Sequence, residues 1–358
     1  MKHTPLYDLH VESGAKMGTF AGYEMPLFYP LGLMKEHLHT RKAAGLFDIS
    51  HMMHVEVTGP QASALIERLC PYDAGRQELN AARYTFLLNE DAGIIDDLII
   101  TRLGAERFLI VANAGCADKD LAHIQSQAAD FDAEVRVIPR GFLALQGPDA
   151  EAVLQDRGFA VSDMDFMTAI EPKDGWFLSR TGYTGEDGFE IAMPERDCAG
   201  FARDLLADER VMPVGLGARD SLRLEAGLSL YGQDLSDTIS PHEAGLLWAI
   251  PKELRKGGPF IGATALADKI EKGRSRMRVG LSAEGRMPVR AGATLQDDTG
   301  KSIGVVTSGG YGPSIERGVA LGLISVDAAD GPIFADVRGK TIPMQKVKLP
   351  FVPHQYKR

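Results

Sequence analysis

Apolar and polar positions along this chain alternate between two periods, and the places where the period changes outline its elements. From Leu33 to Ala44 the spacing is helical, with Gly45 expected to end the helix. From His54 the period falls to two, so that HVEVT reads as a strand, with Gly59 as the turn and Pro60 at the first position of a following helix. The unit recurs. VEVTGPQASALIERL (Val55 to Leu69) and LALQGPDAEAVLQDR (Leu143 to Arg157) align without gaps as strand, Gly-Pro and Ala-rich helix. A two-fold duplication is the simplest reading, and a common strand-to-helix joint is the alternative.

Each copy continues in hairpins. After the first helix come a strand at Tyr84 to Leu88, the turn NEDAG, the strand IIDDLIIT, another at Phe108 to Asn113 and a helix near Asp118 to Gln127. After the second come WFLSR, the turn TGYTGEDG, the strand FEIAMP and a helix around Cys198 to Ala207. Hairpins with returning helices predict an α+β fold with mainly antiparallel sheets rather than a doubly wound parallel sheet. Beyond about residue 275 short β-type runs separated by Gly and Pro turns follow one another: RMRVGLSA, ATLQDD, SIGVVTSGG, GVALGLISV, PIFADVRG and TIPMQKVKL. These predict a separate, barrel-like all-β domain at 276–358, with LADKIEKGRS as the border and 1–275 as two interleaved α+β subdomains.

Composition narrows the function classes. A chain of 358 residues exceeds the usual size of one hydrophobic core. Its formal net charge of −10 argues against nucleic acid or an anionic membrane as partner. No apolar stretch approaches a membrane span, and MKHTPLYDLH has neither an apolar nor an Arg-rich targeting pattern, so a cytoplasmic enzyme is the expectation, or a mitochondrial matrix one if a transit peptide has been removed. The cysteines Cys70, Cys116 and Cys198 are far apart and without CxxC, which fits a reducing compartment. No metal site is expected: His51 and His54 lie at a strand entrance where alternation separates them.

Three places carry polar residues where the pattern does not ask for them. Asp96 and Asp97 interrupt GIIDDLIIT, and alternation sends one carboxylate to each face of that strand. An edge strand with an Asp paired to Arg83 or Arg102 would be the structural explanation. In RTGYTGEDGFE (Arg180 to Glu190) glycines permit close backbone approach while Tyr183 and Glu190 project near one another. In GARDSLRLEAGLSLYGQD, Arg219 and Arg223 stand one helical turn apart and share a face, suited either to a carboxylate-bearing ligand or to ion pairs with Asp220 and Glu225.

These places, with TPLYDLHVESGAKMGTFAGYEMPLFY, LFDISHM, TSGGYGPSIERGVALGLI and PFVP in order along the chain, resemble the T-protein (aminomethyltransferase) family of the glycine cleavage system almost end to end. The resemblance implies a three-domain cloverleaf around a folate channel, tetrahydrofolate as co-substrate and the lipoylated H-protein as partner. It implies that Asp97 is the essential aspartate near the folate, that Glu190 and Arg219 bind substrate, and that Tyr84, Asn113 and Tyr183 line the pocket. Tyr356, in PFVPHQY, matches a further contact.

The chain departs from the family pattern at Tyr23, Met53, Ala92 and the pair Tyr311 and Gly312. Met53, where the family has glycine, is expected to reshape a turn. Two other functions remain open: a folate-dependent demethylase of the same fold acting on a small free substrate, and a non-catalytic folate-binding accessory protein. Relatives of the latter kind carry a KGCYxGQE-like motif where this chain has LSLYGQD without cysteine.

Overall fold

Ile94 to Gly104 is the longest strand of the first sheet in this computed structural model, which describes residues 1–357. Ahead of it lie helix α1 (Tyr7–Glu12), the hairpin β1 (Lys16–Phe20) and β2 (Tyr23–Phe28), helix α2 (Leu33–Lys42) and strand β3 (Ala44–Asp48). The first sheet comprises β4 (Met53–Thr58), β5 (Ala82–Leu88), β6 (Ile94–Gly104), β7 (Arg107–Ala112) and β8 (Glu134–Val137), antiparallel in the order β5-β6-β7-β4-β8. Helices α3 (Ala62–Leu69) and α4 (Ala117–Ala128) cover one face, burying Leu65, Ile66 and Ile124 against Val55, Leu98, Ile100 and Ile110.

The second sheet contains β9 (Gly141–Gln146), β10 (Ala169–Ile170), β11 (Phe177–Ser179), β12 (Gly188–Met193) and β13 (Val211–Pro213), with order β10-β11-β12-β9-β3-β13. Only β13 and β3 pair in parallel. Helices α5 (Ala150–Gln155) and α6 (Glu195–Leu206) close its core. The series β5-β6-β7-β4 repeats strand for strand as β10-β11-β12-β9, so the duplication read from the two Gly-Pro joints extends to sheet topology. Both joints need glycine. Gly59 and Gly147 sit at φ +126° and +127°, and a Cβ at Gly147 would meet the Ala43 carbonyl oxygen at 2.2 Å.

The uncovered faces of the two sheets meet. Leu109 and Val111 of β7 pack with Phe142 and Ala144 of β9 and with Ala218 and Leu222 of α7 (Leu216–Glu225). After α8 (Ala263–Lys272) the strands β14 (Arg276–Ala283), β15 (Thr294–Gln296), β16 (Ser302–Gly312), β17 (Arg317–Ser325), β18 (Ile333–Val337) and β19 (Lys340–Val347) form a closed antiparallel barrel, one strand for each run read from the sequence. Leu224 of α7 packs on Val319 and Leu321 of the barrel.

Three local expectations change. The helix from Leu33 stops at Lys42, and Gly45 lies inside β3, where a Cβ would meet Thr40 Oγ1 at 2.3 Å. Gly45 is a packing glycine, not a helix cap. Pro60 stands in the turn before α3, with Gln61 at the N-cap. Met53 begins a regular strand, whereas Ala92 is the departure that takes a left-handed conformation, at φ +58°; the turn strain falls at Ala92 instead.

Candidate active site

Strand β6 presents its two acids as alternation requires. Asp96 shares the buried face of Ile94, Leu98 and Ile100, and Asp97 shares the other with Ile95 and Ile99. Neither pairs with Arg83 or Arg102; the Arg102 guanidinium is spent on the carbonyls of Gly75, Gln77, Gly104 and Ala105. Both acids instead converge on Asn113, just beyond β7. Its backbone N–H donates to Asp96 Oδ2 at 3.1 Å, and its side-chain Nδ2 donates to Asp96 Oδ1 at 2.9 Å and Asp97 Oδ1 at 3.0 Å. From β5 the Tyr84 hydroxyl donates to Asp97 Oδ2 at 3.0 Å. Burial, reinforced by the charge of Asp96, pushes the Asp97 carboxyl up to about 7, although the bonds from Tyr84 and Asn113 pull the other way. A carboxyl in this range exchanges a proton near neutral pH, as general acid–base chemistry requires.

The loop between β11 and β12 brings the second group. Gly182 passes so close to β9 that a Cβ would meet Gln146 Oε1 at 1.9 Å. Arg180 is buried in ion pairs with Asp187 and Glu151, closing the loop at its base. Tyr183 is thereby held with its hydroxyl donating to the Ser229 carbonyl, and the Arg219 guanidinium lies over its ring at 4.9 Å from the centroid. Glu190 on β12 accepts one bond from Thr181 Oγ1. Burial raises its pKa, while Thr181 and the charge of Arg219 lower it. Arg219 Nη1 is buried with no partner among the described residues. A guanidinium with an unused donor beside a carboxylate with an unused oxygen is a pair of unmet hydrogen-bonding needs, which a planar ligand carrying both donors and acceptors would satisfy.

The two arginines of α7 separate in role. Arg223 is consumed by Asp220 at 2.8 Å and Asp234 at 2.9 Å. Its expected alternative partner Glu225 is held by His37 and Arg41. The hairpin acids, Tyr183 and the barrel come within electrostatic reach of one another: Asp97, Tyr183 and Arg278 of β14 all act on Tyr84. Tyr356 stands apart from them. It stacks on Phe166 at 3.9 Å and adjoins the Arg180 to Asp187 loop through the Gln355 N–H, which donates to the Gly185 carbonyl at 2.8 Å. No hydrogen bond or ring contact among the described residues joins it to Asp97, Glu190 or Arg219.

Sequence reasoning missed four residues. Trp248 stacks on Tyr84 at 5.6 Å with 67% of its surface exposed, offering an aromatic face beside the partner of Asp97. Arg278 has a buried Nε without a partner. Thr181 orients Glu190, and Asp120 approaches Asp96 from α4. Only Thr181, inside a motif already singled out, had a visible signal. Arg278 reads as the outward position of an alternating strand, Asp120 as a solvated helix acid, and Trp248 has no polar pattern around it.

Residues 6–253 match the family model described as the GCVT N-terminal domain, and residues 276–353 match the glycine cleavage T-protein C-terminal barrel domain. A relative from Schizosaccharomyces pombe, named a probable mitochondrial aminomethyltransferase, is 40% identical over all of this chain and 95% of its own length. The mitochondrial aminomethyltransferase of Dictyostelium discoideum is 39% identical over all of this chain and 94% of its own. Among solved structures, the glycine cleavage system aminomethyltransferase T of Bartonella henselae superposes with a TM-score of 0.98 at 50% identity, covering 100% of this chain and 99% of that one.

Proposed function

The chain belongs to the glycine cleavage T-protein family of aminomethyltransferases, and we propose that it moves the one-carbon unit of an aminomethyl-lipoyl group on H-protein to tetrahydrofolate, releasing ammonia. The bonds from carbon to sulfur and to the amine nitrogen break, and bonds to N5 and N10 of the folate form. Two N–H protons leave the folate, one ending on the lipoyl thiol and one in ammonia, so the reaction needs proton transfer but no oxidant.

The observation that carries this reading is Asp97. Its carboxyl is poised near neutrality and anchored by Tyr84 and Asn113. Ionised, it stabilises positive charge developing on the transferred carbon; protonated, it can supply the departing amine. Glu190 and Arg219 fit a folate because their unused acceptor and donor match the guanidine-like edge of a pterin, and Tyr84, Trp248 and Tyr183 supply ring faces for it. The folate supplies the two nitrogen nucleophiles. Asn113 positions Asp97; Tyr356 is proposed as a more distant contact, since it adjoins the Tyr183 loop through Gln355.

The Schizosaccharomyces and Dictyostelium relatives are named mitochondrial, so a cytoplasmic location has no support from those names. No helix among the described residues is long and apolar enough to cross a membrane, and the three cysteines are buried and free. The decisive assay is tetrahydrofolate-dependent ammonia release from aminomethylated H-protein. Ammonia release without folate dependence would overturn the proposal, and turnover only with a free N-methyl amino acid in place of H-protein would replace it with the demethylase reading.

A further inference from the structure

Behind Asp97 two carboxyl groups meet in the core. Asp120, in the first turn of α4, and Asp96 are both fully buried, and their nearest side-chain oxygens lie within 4.8 Å of each other, with Cys116 Sγ equally close. Neither oxygen of Asp120 receives a hydrogen bond among the described residues. The groups that face it are Asp96 and Asp97 from β6, Cys116 just before α4, Lys119 beside it and Cys70 at the end of α3. The Lys119 charge acts on Asp120, but its ammonium donates to the Ile95 carbonyl and to the Tyr231 hydroxyl, at 2.5 and 2.7 Å, and makes no ion pair with Asp120. The Cys116 thiol is kept neutral by burial and by the same two acids.

Two carboxylates within 4.8 Å of each other, both out of water and with Lys119 turned to other partners, cannot both stay ionised. Asp96 is the better acceptor of the two, because Asn113 already donates to both its oxygens. We propose that Asp96 and Asp120 share one proton, carried mainly on Asp120, and that Asp120 is thereby a positioning residue for Asp97. Asp120 donates to Asp96; Asp96 holds Asn113; the same Asn113 amide holds Asp97. The catalytic part of this chain rests on the proposed role of Asp97, whereas the shared proton does not.

Burial and the neighbouring Asp96 push the Asp120 carboxyl up to about 9. Its folded-state pKa therefore lies above that of the unfolded chain. The stabilising effect is complete below about pH 4 and is lost as pH rises toward 9, since the unfolded chain gives up this proton first. Asparagine at this position keeps a donor toward Asp96 and has no proton to lose.

The test compares the parent, Asp120→Asn and Asp120→Leu. Infrared spectra of protein labelled with carboxyl-13C aspartate are expected to show a neutral aspartic acid band at pH 8 that both variants lack. Thermal melts from pH 5 to 8.5 are expected to show the parent losing stability relative to Asp120→Asn as pH rises. In turnover against pH, Asp120→Asn is expected to keep the acid limb of the parent and Asp120→Leu to move it by about one unit, because only the latter removes the donor that fixes Asp96. Absence of the neutral band, parallel melting curves, or stoichiometric bound metal that Asp120→Asn loses would overturn the shared proton. Identical pH profiles for the two variants would overturn the positioning role alone. The first two measurements need no substrate, so they stand or fall independently of the proposed reaction.

Discussion

The Tyr84 hydroxyl donates to Asp97 Oδ2 at 3.0 Å, a bond across the β5–β6 hairpin that exists because Tyr84 pairs with Ile99 and so places its ring on the face that carries Asp97. This bond favours the ionised carboxylate and opposes the burial and the Asp96 charge that raise its pKa. Removing it in Tyr84→Phe is expected to move the acid limb of turnover to higher pH. A hydrogen bond to a charged group is worth about 1.5 to 3 kcal/mol, so the shift is about one to two pH units. An unmoved limb would show that another group titrates there.

The parent enzyme itself is expected to gain activity with pH through the value of about 7 at which Asp97 ionises. If the ionised form is the active one, the ionised fraction alone gives a rise of about tenfold between pH 6 and pH 8. Asp97→Asn keeps the shape of the side chain and one acceptor oxygen but cannot ionise. Turnover is expected to fall by about 10² to 10⁴ with the acid limb abolished, while the melting temperature stays near that of the parent. Full activity in this variant, at saturating tetrahydrofolate and aminomethylated H-protein, would sink the catalytic assignment.

The opposed faces of Asp96 and Asp97 were legible in GIIDDLIIT because a strand has a period of two, and the barrel was legible because each of its strands is bounded by turn residues. Alternation also suggests that Asp96→Asn is a harmless control for Asp97→Asn. The structure corrects this, since Asn113 bonds to both acids and couples them across the strand. That contact joins Asp96 and Asp97 on β6 to a residue 17 and 16 positions on, just beyond β7, and no local period encodes it. For the same reason Asp120 and Trp248 were invisible: each reaches the site from an element whose own pattern is ordinary. Asp96→Asn is accordingly expected to lower the acid limb by removing the charge that raises Asp97.

Glu190 and Arg219 are expected to govern folate affinity, with little effect on folding. Each has an unused hydrogen-bonding position, so Glu190→Ala removes a free acceptor oxygen at the cost of one bond from Thr181. Loss of a charge-assisted contact costs about 1.5 to 3 kcal/mol, or roughly 10- to 150-fold in Kd for tetrahydrofolate by calorimetry. Undiminished affinity would remove Glu190 from the pocket.

The segment joining α8 to the barrel is proposed as the domain border. Lys272 is exposed, Gly273 takes φ +78°, and β14 begins at Arg276. Limited trypsin digestion is expected to cut first after Lys272 or Arg274. A first cut between residues 90 and 120 would refute that border.

Asp234 is the anchor between α7 and the barrel. Its side chain is fully buried and accepts from Arg223 Nη1 at 2.9 Å, the Leu230 N–H at 2.9 Å and Ser308 Oγ at 2.8 Å, with Thr307 of the same barrel strand as a further donor. Arg223 also meets Asp220 at 2.8 Å, but Asp220 is 56% exposed. The two acids thus share one arginine at nearly equal distance and differ in solvent. Water screens the Asp220 pair and would replace it when lost, so Asp220→Ala is expected to cost less than about 1 kcal/mol. Asp234→Ala leaves a buried guanidinium and two barrel hydroxyls without their acceptor, and is expected to cost about 3 to 5 kcal/mol in denaturant unfolding. The double variant Arg223→Met with Asp234→Leu is expected to be less destabilised than Asp234→Ala, because it removes both charges together. Equal losses for Asp220→Ala and Asp234→Ala would mean that burial does not set the worth of these pairs, and the barrel would then have to be held to α7 by the Leu224, Val319 and Leu321 contact instead.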